Sequence, residues 1–193
     1  MTHRIATAQI EGVSPYSQSR YHATESLEKE GKDAYARRTW REFVHTDRDG
    51  NIIIPPMAMK NCLSESVKFL GIQIPGKGKS TYTKHFEAGI LVTDPSPIGH
   101  RKDDLTDETH LESLFLPSDG RRGSGSRVMK YFPRFDEWSA TVQFHIFDDV
   151  IPKDVFKYVL EQAGQFIGIG RFRPRNNGFY GRFVVNELKW SDE

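Results

Sequence analysis

Residues 164–181 carry the groups best suited to gripping a polyanion. They read Gly-Gln-Phe-Ile-Gly-Ile-Gly-Arg-Phe-Arg-Pro-Arg-Asn-Asn-Gly-Phe-Tyr-Gly, and Arg182 follows. Gly164, Gly168, Gly170, Gly178 and Gly181 admit backbone conformations closed to other residues and allow close approach to the main chain. Arg171, Arg173, Arg175 and Arg182 stand among them with no acidic residue in the stretch, and Phe166, Phe172, Phe179 and Tyr180 are interleaved. Guanidinium groups match phosphate oxygens, and aromatic rings stack on bases. The stretch therefore points to single-stranded nucleic acid, with Arg171, Arg173, Arg175, Tyr180 and Arg182 as contacts. The strand would come closest to the backbone at Gly168, Gly170, Gly178 and Gly181. The plainer alternative is a Gly-rich turn whose arginines are merely solvated.

Two further segments share this character. Residues 71–84 hold Lys77, Lys79 and Lys84 and no acid; residues 120–130 hold Arg121, Arg122, Arg127 and Lys130 and no acid. Against them, residues 103–112 hold Asp103, Asp104, Asp107, Glu108 and Glu112. The whole chain of 193 residues carries 27 Lys and Arg against 26 Asp and Glu, a net charge of +1, so any case for a polyanion rests on this local segregation. Lys77, Lys79, Lys84, Arg121 and Arg122 join the expected contacts.

Other motifs carry less. Residues 76–81 resemble part of a phosphate-binding loop, but the glycine required five positions before the final Gly-Lys-Ser is Gln73, and a strand is expected to follow. Asp47, Asp49 and Asn51 start like a calcium loop, yet Ala58 stands where a bidentate Glu is needed. Seven histidines are scattered without metal-ligand spacing, and the single cysteine, Cys62, allows neither an internal disulfide nor a cysteine cluster. No metal or cofactor is expected. His145 could act in acid–base chemistry on RNA, but no second group is tied to it by spacing. No apolar run approaches the ~18 residues of a membrane helix, and Met-Thr-His-Arg opens no signal sequence; a cytoplasmic protein without membrane contact is expected.

The elements that must position these groups are read from periodicity. Residues 4–12 form a strand. Residues 39–44 are read as a strand, as are 52–54. Pro55-Pro56 opens a helix with apolar residues at Met59, Cys62, Leu63, Val67 and Leu70, and Gly71 stops it. Residues 85–93 alternate as a strand, and 94–123 read as a long loop. Residues 127–132 and 138–147 pair as a hairpin; the second alternates strictly through Trp138, Ala140, Val142, Phe144 and Ile146. A second helix follows Pro152, and a closing strand covers 179–188. Without insertions at about 16–50 and 94–127, the order is strand, helix, strand, strand, helix, strand. That is an α+β, ferredoxin-like (RRM-like) fold: one domain over 1–193, with an antiparallel sheet and two helices on one face.

Ile52-Ile53-Ile54-Pro55-Pro56-Met57-Ala58-Met59-Lys60 is similar to the opening of the first helix in the repeat-associated (RAMP) superfamily, and residues 164–182 resemble its C-terminal glycine-rich loop. Within it the chain most resembles the backbone subunit that coats guide RNA in CRISPR effector complexes, or a phage or mobile-element relative of it. Asn61 stands where that family usually has glycine. The resemblance implies that Lys60 and the arginines of 171–182 contact RNA. It implies that an insertion acts as a thumb, and that copies assemble head to tail, up to a helical filament, beside other effector subunits. The sequence thus supports a non-catalytic binder of single-stranded RNA, or of single-stranded DNA. The alternatives are a metal-independent endoribonuclease using His145 and a structural or virion assembly protein.

Overall fold

Strand β1 (Arg4–Gly12) is the axis of the structure, a computed structural model that describes residues 3–118, 123 and 125–192. Its Ala6, Ala8 and Ile10 are buried, and the residues between them face the other way. Strands β7 (Ser139–Ile146) and β8 (Phe183–Asp192) flank β1, and the two-residue β3 (Ile90–Leu91) lies outside β7, giving the antiparallel order β3-β7-β1-β8. Helices α2 (Pro56–Leu70) and α5 (Lys153–Gln162) cover one face. Met59, Cys62, Leu63 and Val67 of α2 meet Phe156, Val159 and Leu160 of α5 over Ala8, Val142 and Phe144 in one core. Gly71 ends α2 in the left-handed region, φ 59°, where its N–H reaches the Val67 carbonyl. This is the ferredoxin-like arrangement that the strand–helix–strand order implied.

The segments between these elements depart from the sequence reading. Residues 39–44 are not a strand: helix α1 (Lys32–Thr39) runs into a 3-10 turn, Trp40–Phe43. Trp40 and Val44 are both fully buried four residues apart, which is helical spacing. Residues 85–93 are mostly helix α3 (Thr83–Gly89), because Tyr82, Phe86 and Ile90 are buried at four-residue intervals while Ala88 is exposed. The basic loop 71–82 therefore leads into a helix after all. That helix begins at Thr83, three residues after the Gly-Lys-Ser of residues 78–80.

The expected long loop 94–123 contains β4 (Ser96–Arg101), which pairs with β2 (Asn51–Ile54), then α4 (Asp107–His110) and β5 (Leu111–Pro117). Strand β6 (Arg127–Pro133) pairs along its length with β5 and not with β7, whose place is beside β1. The β5–β6 hairpin is half exposed, so its apolar residues do not alternate as a core strand's would.

Candidate nucleic-acid interface

The Gly-rich loop begins where α5 passes through a π-type turn, Ala163–Ile167, and ends at β8. It is braced by its own backbone. Ile169 N–H donates to Gly181 O, Tyr180 N–H to Phe172 O and Gly178 N–H to Arg173 O, while Gly181 and Arg171 donate to Pro15 O and Ser17 O. Gly168, Gly170 and Gly181 adopt φ of 69°, 74° and 70°. A methyl group at Gly178 would overlap the Phe172 carbonyl; at Gly181, that of Ile169; at Gly170, that of Ser17; at Gly168, the Pro174 ring. The close approach expected between these four glycines and a ligand strand is instead made by the protein's own chain.

This bracing fans the arginines apart. Arg173 pairs with Glu65 of α2 at 2.9 Å, and Arg175 lies 3.9 Å from the same carboxylate. Arg182 is exposed beside Val13, Gln162 and Gln165, with no ion pair among the described residues. Arg171 turns to the β5–β6 hairpin, its guanidinium 4.4 Å from the centre of the Phe132 ring and 5.0 Å from that of Phe172. Phe172 itself has φ 53°, a conformation that L side chains rarely take and that tends to be held where function needs it. Burial pushes the Arg171 pKa down, and no described carboxylate pairs with it. Tyr180 is buried, not presented for stacking. Its hydroxyl donates to Glu112 at 3.1 Å, and burial, followed by the Glu112 charge, pushes its pKa up to about 12.

The remaining expected contacts lie elsewhere. Lys60 Nζ donates to Phe86 O at 2.6 Å, Glu87 O at 2.8 Å and Ser64 Oγ at 3.2 Å. All three of its protons serve this chain: two cap the end of α3 and the third reaches Ser64 one turn along α2. Burial lowers the Lys60 pKa, against the pull of Glu87. Lys60→Met should destabilise the fold by about 1–2 kcal/mol in denaturant unfolding, since it strands the carbonyls at the end of α3. Nucleic-acid affinity of the folded variant should stay within about twofold; a large loss would put Lys60 back in the interface.

Lys77, Lys79 and Lys84 are exposed, and none of them lines the groove described below. Arg121 and Arg122 lie outside the described residues.

What does converge is a groove of about 680 Å³ between α1, the β5–β6 hairpin and the Gly-rich loop. Among the described residues Lys32, Arg127, Lys130 and Arg171 line it, against a single acid, Asp33. Its wall carries Phe115, Val128 and Met129, and the Arg127 guanidinium lies 5.7 Å from the Phe115 ring centre. Tyr131 donates its hydroxyl to Asp33, at 3.1 and 3.3 Å to the two carboxylate oxygens. Lys32, Phe115 and Met129 were not singled out in the sequence. The acid-free run ending at Lys130 was the one available signal, and it was attached to the wrong strand pair.

The open face of the sheet has the opposite sign. Its groove of about 910 Å³ is lined by Glu11, Asp136 and Glu137, which would repel phosphate. His145 lies on that face, with its ring nitrogens 3.0 Å from His3 Nε2 and 3.4 Å from Thr93 Oγ1. No group of three potential ligands that could hold a metal ion occurs among the described residues, and no described helix is long and apolar enough to cross a membrane.

No family model matches the sequence, and no curated protein matches it. Solved structures do. A chain of the cryo-EM structure of the type III-B Cmr-beta bound to cognate target RNA is 10% identical, with a TM-score of 0.54 over 98% of this chain and 61% of that one. The present chain thus spans about three fifths of that chain's length. The crystal structure of Cmr6 from Pyrococcus furiosus is 12% identical, with a TM-score of 0.47 over 96% and 99% of the two chains. The first likeness is one of fold, and it agrees with the ferredoxin-like arrangement described above.

Proposed function

We propose that this protein is a non-catalytic subunit of a CRISPR-type effector assembly, working in the cytoplasm. It binds single-stranded RNA through the groove between α1, the β5–β6 hairpin and Arg171. One observation carries the reading: Arg171 is a half-buried cation that no described carboxylate neutralises, in a groove lined, among the described residues, by three more cations and one acid. A cation withdrawn from water without a counter-charge is costly, and a phosphate supplies that counter-charge. The fold likeness to a chain from an RNA-bound complex supports the choice of ligand and of assembly. Repeated copies, or this chain and other subunits, would then follow one another along the strand.

Salt titration of binding to a fluorescent 12-nucleotide RNA tests this. Each phosphate neutralised on a single strand contributes a slope of about −0.7 in log K against log salt. Four cations predict a slope of roughly −3. A flat dependence, or absence of binding, would end the proposal. The same DNA sequence, run in parallel, tells whether the ribose matters.

A further inference from the structure

We infer that the groove holds a nucleobase as well as the backbone: one unpaired base of the bound strand lies on the apolar wall formed by Phe115, Val128 and Met129 while its phosphates meet the cations around it. The inference rests on the RNA-binding reading above and gives that site its ligand chemistry.

The wall is the starting point. Phe115 is 58% exposed, Val128 41% and Met129 37%, all within one hairpin. A groove built for phosphate alone would gain nothing from them, since water would remain against three large apolar side chains. An aliphatic ligand would cover the wall but leave Lys32, Arg127, Lys130 and Arg171 with only Asp33 to offset them. A flat, weakly polar ring attached to anionic groups satisfies both sets of residues, and a nucleotide in a strand is that ligand. The volume of about 680 Å³ falls within the roughly 300–1,000 Å³ of small-molecule sites.

Asp33 fits the same picture. A carboxylate would repel phosphate, but it accepts hydrogen bonds from the N–H groups of a base edge. The Tyr131 hydroxyl occupies part of Asp33 and leaves acceptor capacity on both groups. The Arg127 guanidinium beside the Phe115 ring can stack on one side of an inserted base.

The test uses the full chain and two 12-nucleotide RNAs, one of adenosines and one with every base replaced by an abasic ribose. Anisotropy at fixed salt should show the abasic strand about tenfold weaker, the scale of one base–aromatic stack. Phe115→Ala should remove most of that difference and Phe115→Tyr should keep it. Phe115 is surface-exposed, so neither change disturbs the core. Equal affinity for the two strands, each with a steep salt slope, would overturn the base pocket and leave backbone binding intact. The wild-type comparison decides this even if a variant fails to fold. If neither strand binds, the RNA-binding reading and this inference fall together.

Discussion

Replacing Arg171 with methionine should weaken binding of single-stranded RNA by roughly 10- to 100-fold while leaving the free protein as stable as before. The two effects separate because no described carboxylate pairs with the cation, so none is lost. Removing it forfeits a charge-assisted contact to phosphate, about 1.5–3 kcal/mol. In the free protein the change trades a desolvation cost against a cation–π contact with Phe132, 4.4 Å away. Methionine keeps the volume and packs on the same ring. The melting temperature should therefore move by only about 3 °C either way. Arg171→Lys should recover only part of the affinity, because an ammonium does not lie flat on Phe132 or bind phosphate bidentately. Unchanged affinity in the methionine variant would remove Arg171 from the interface. A large fall in melting temperature would show its charge to be structural.

Gly181→Ala should give the largest stability effect of any single methyl addition in the Gly-rich loop, about 2–4 kcal/mol. Its φ of 70° costs an L residue about 1–2 kcal/mol. The added Cβ would also run into the Ile169 carbonyl, which accepts no displacement without breaking the backbone pairing of Ile169 with Gly181. In a chain of this length the loss corresponds to a drop of roughly 5–15 °C in melting temperature. Gly99→Ala is the control. It shares a positive φ, 86°, but a Cβ there meets nothing within 4 Å, so only the conformational cost of about 1–2 kcal/mol is expected. Equal effects at the two sites would mean that the loop is not braced as described. The comparison bears on function because that bracing is what turns Arg171 toward the hairpin and Arg173 toward α2.

Local pattern carried a good part of this structure. The alternation of Ala140, Val142, Phe144 and Ile146 marks β7 as half buried, and the helical spacing of Met59, Cys62, Val67 and Leu70 marks α2, because each pattern reports which face of its own element meets the core. From such segments the ferredoxin-like order was legible, as was the basic, aromatic character of residues 164–182. Tertiary structure alone decided which strand β6 pairs with, that Glu65 takes up Arg173 and Arg175, and that Lys60 caps a helix more than twenty residues ahead of it. It also decided that Arg171, out of four similar arginines, faces the α1–hairpin groove with no described carboxylate paired to it. The physical reason is range. Periodicity records burial within one element, whereas a side chain's partners and desolvation come from residues brought close only by folding, and nothing in the run Arg-Phe-Arg-Pro-Arg announces that Ser17, Glu65 and Phe132 will surround it.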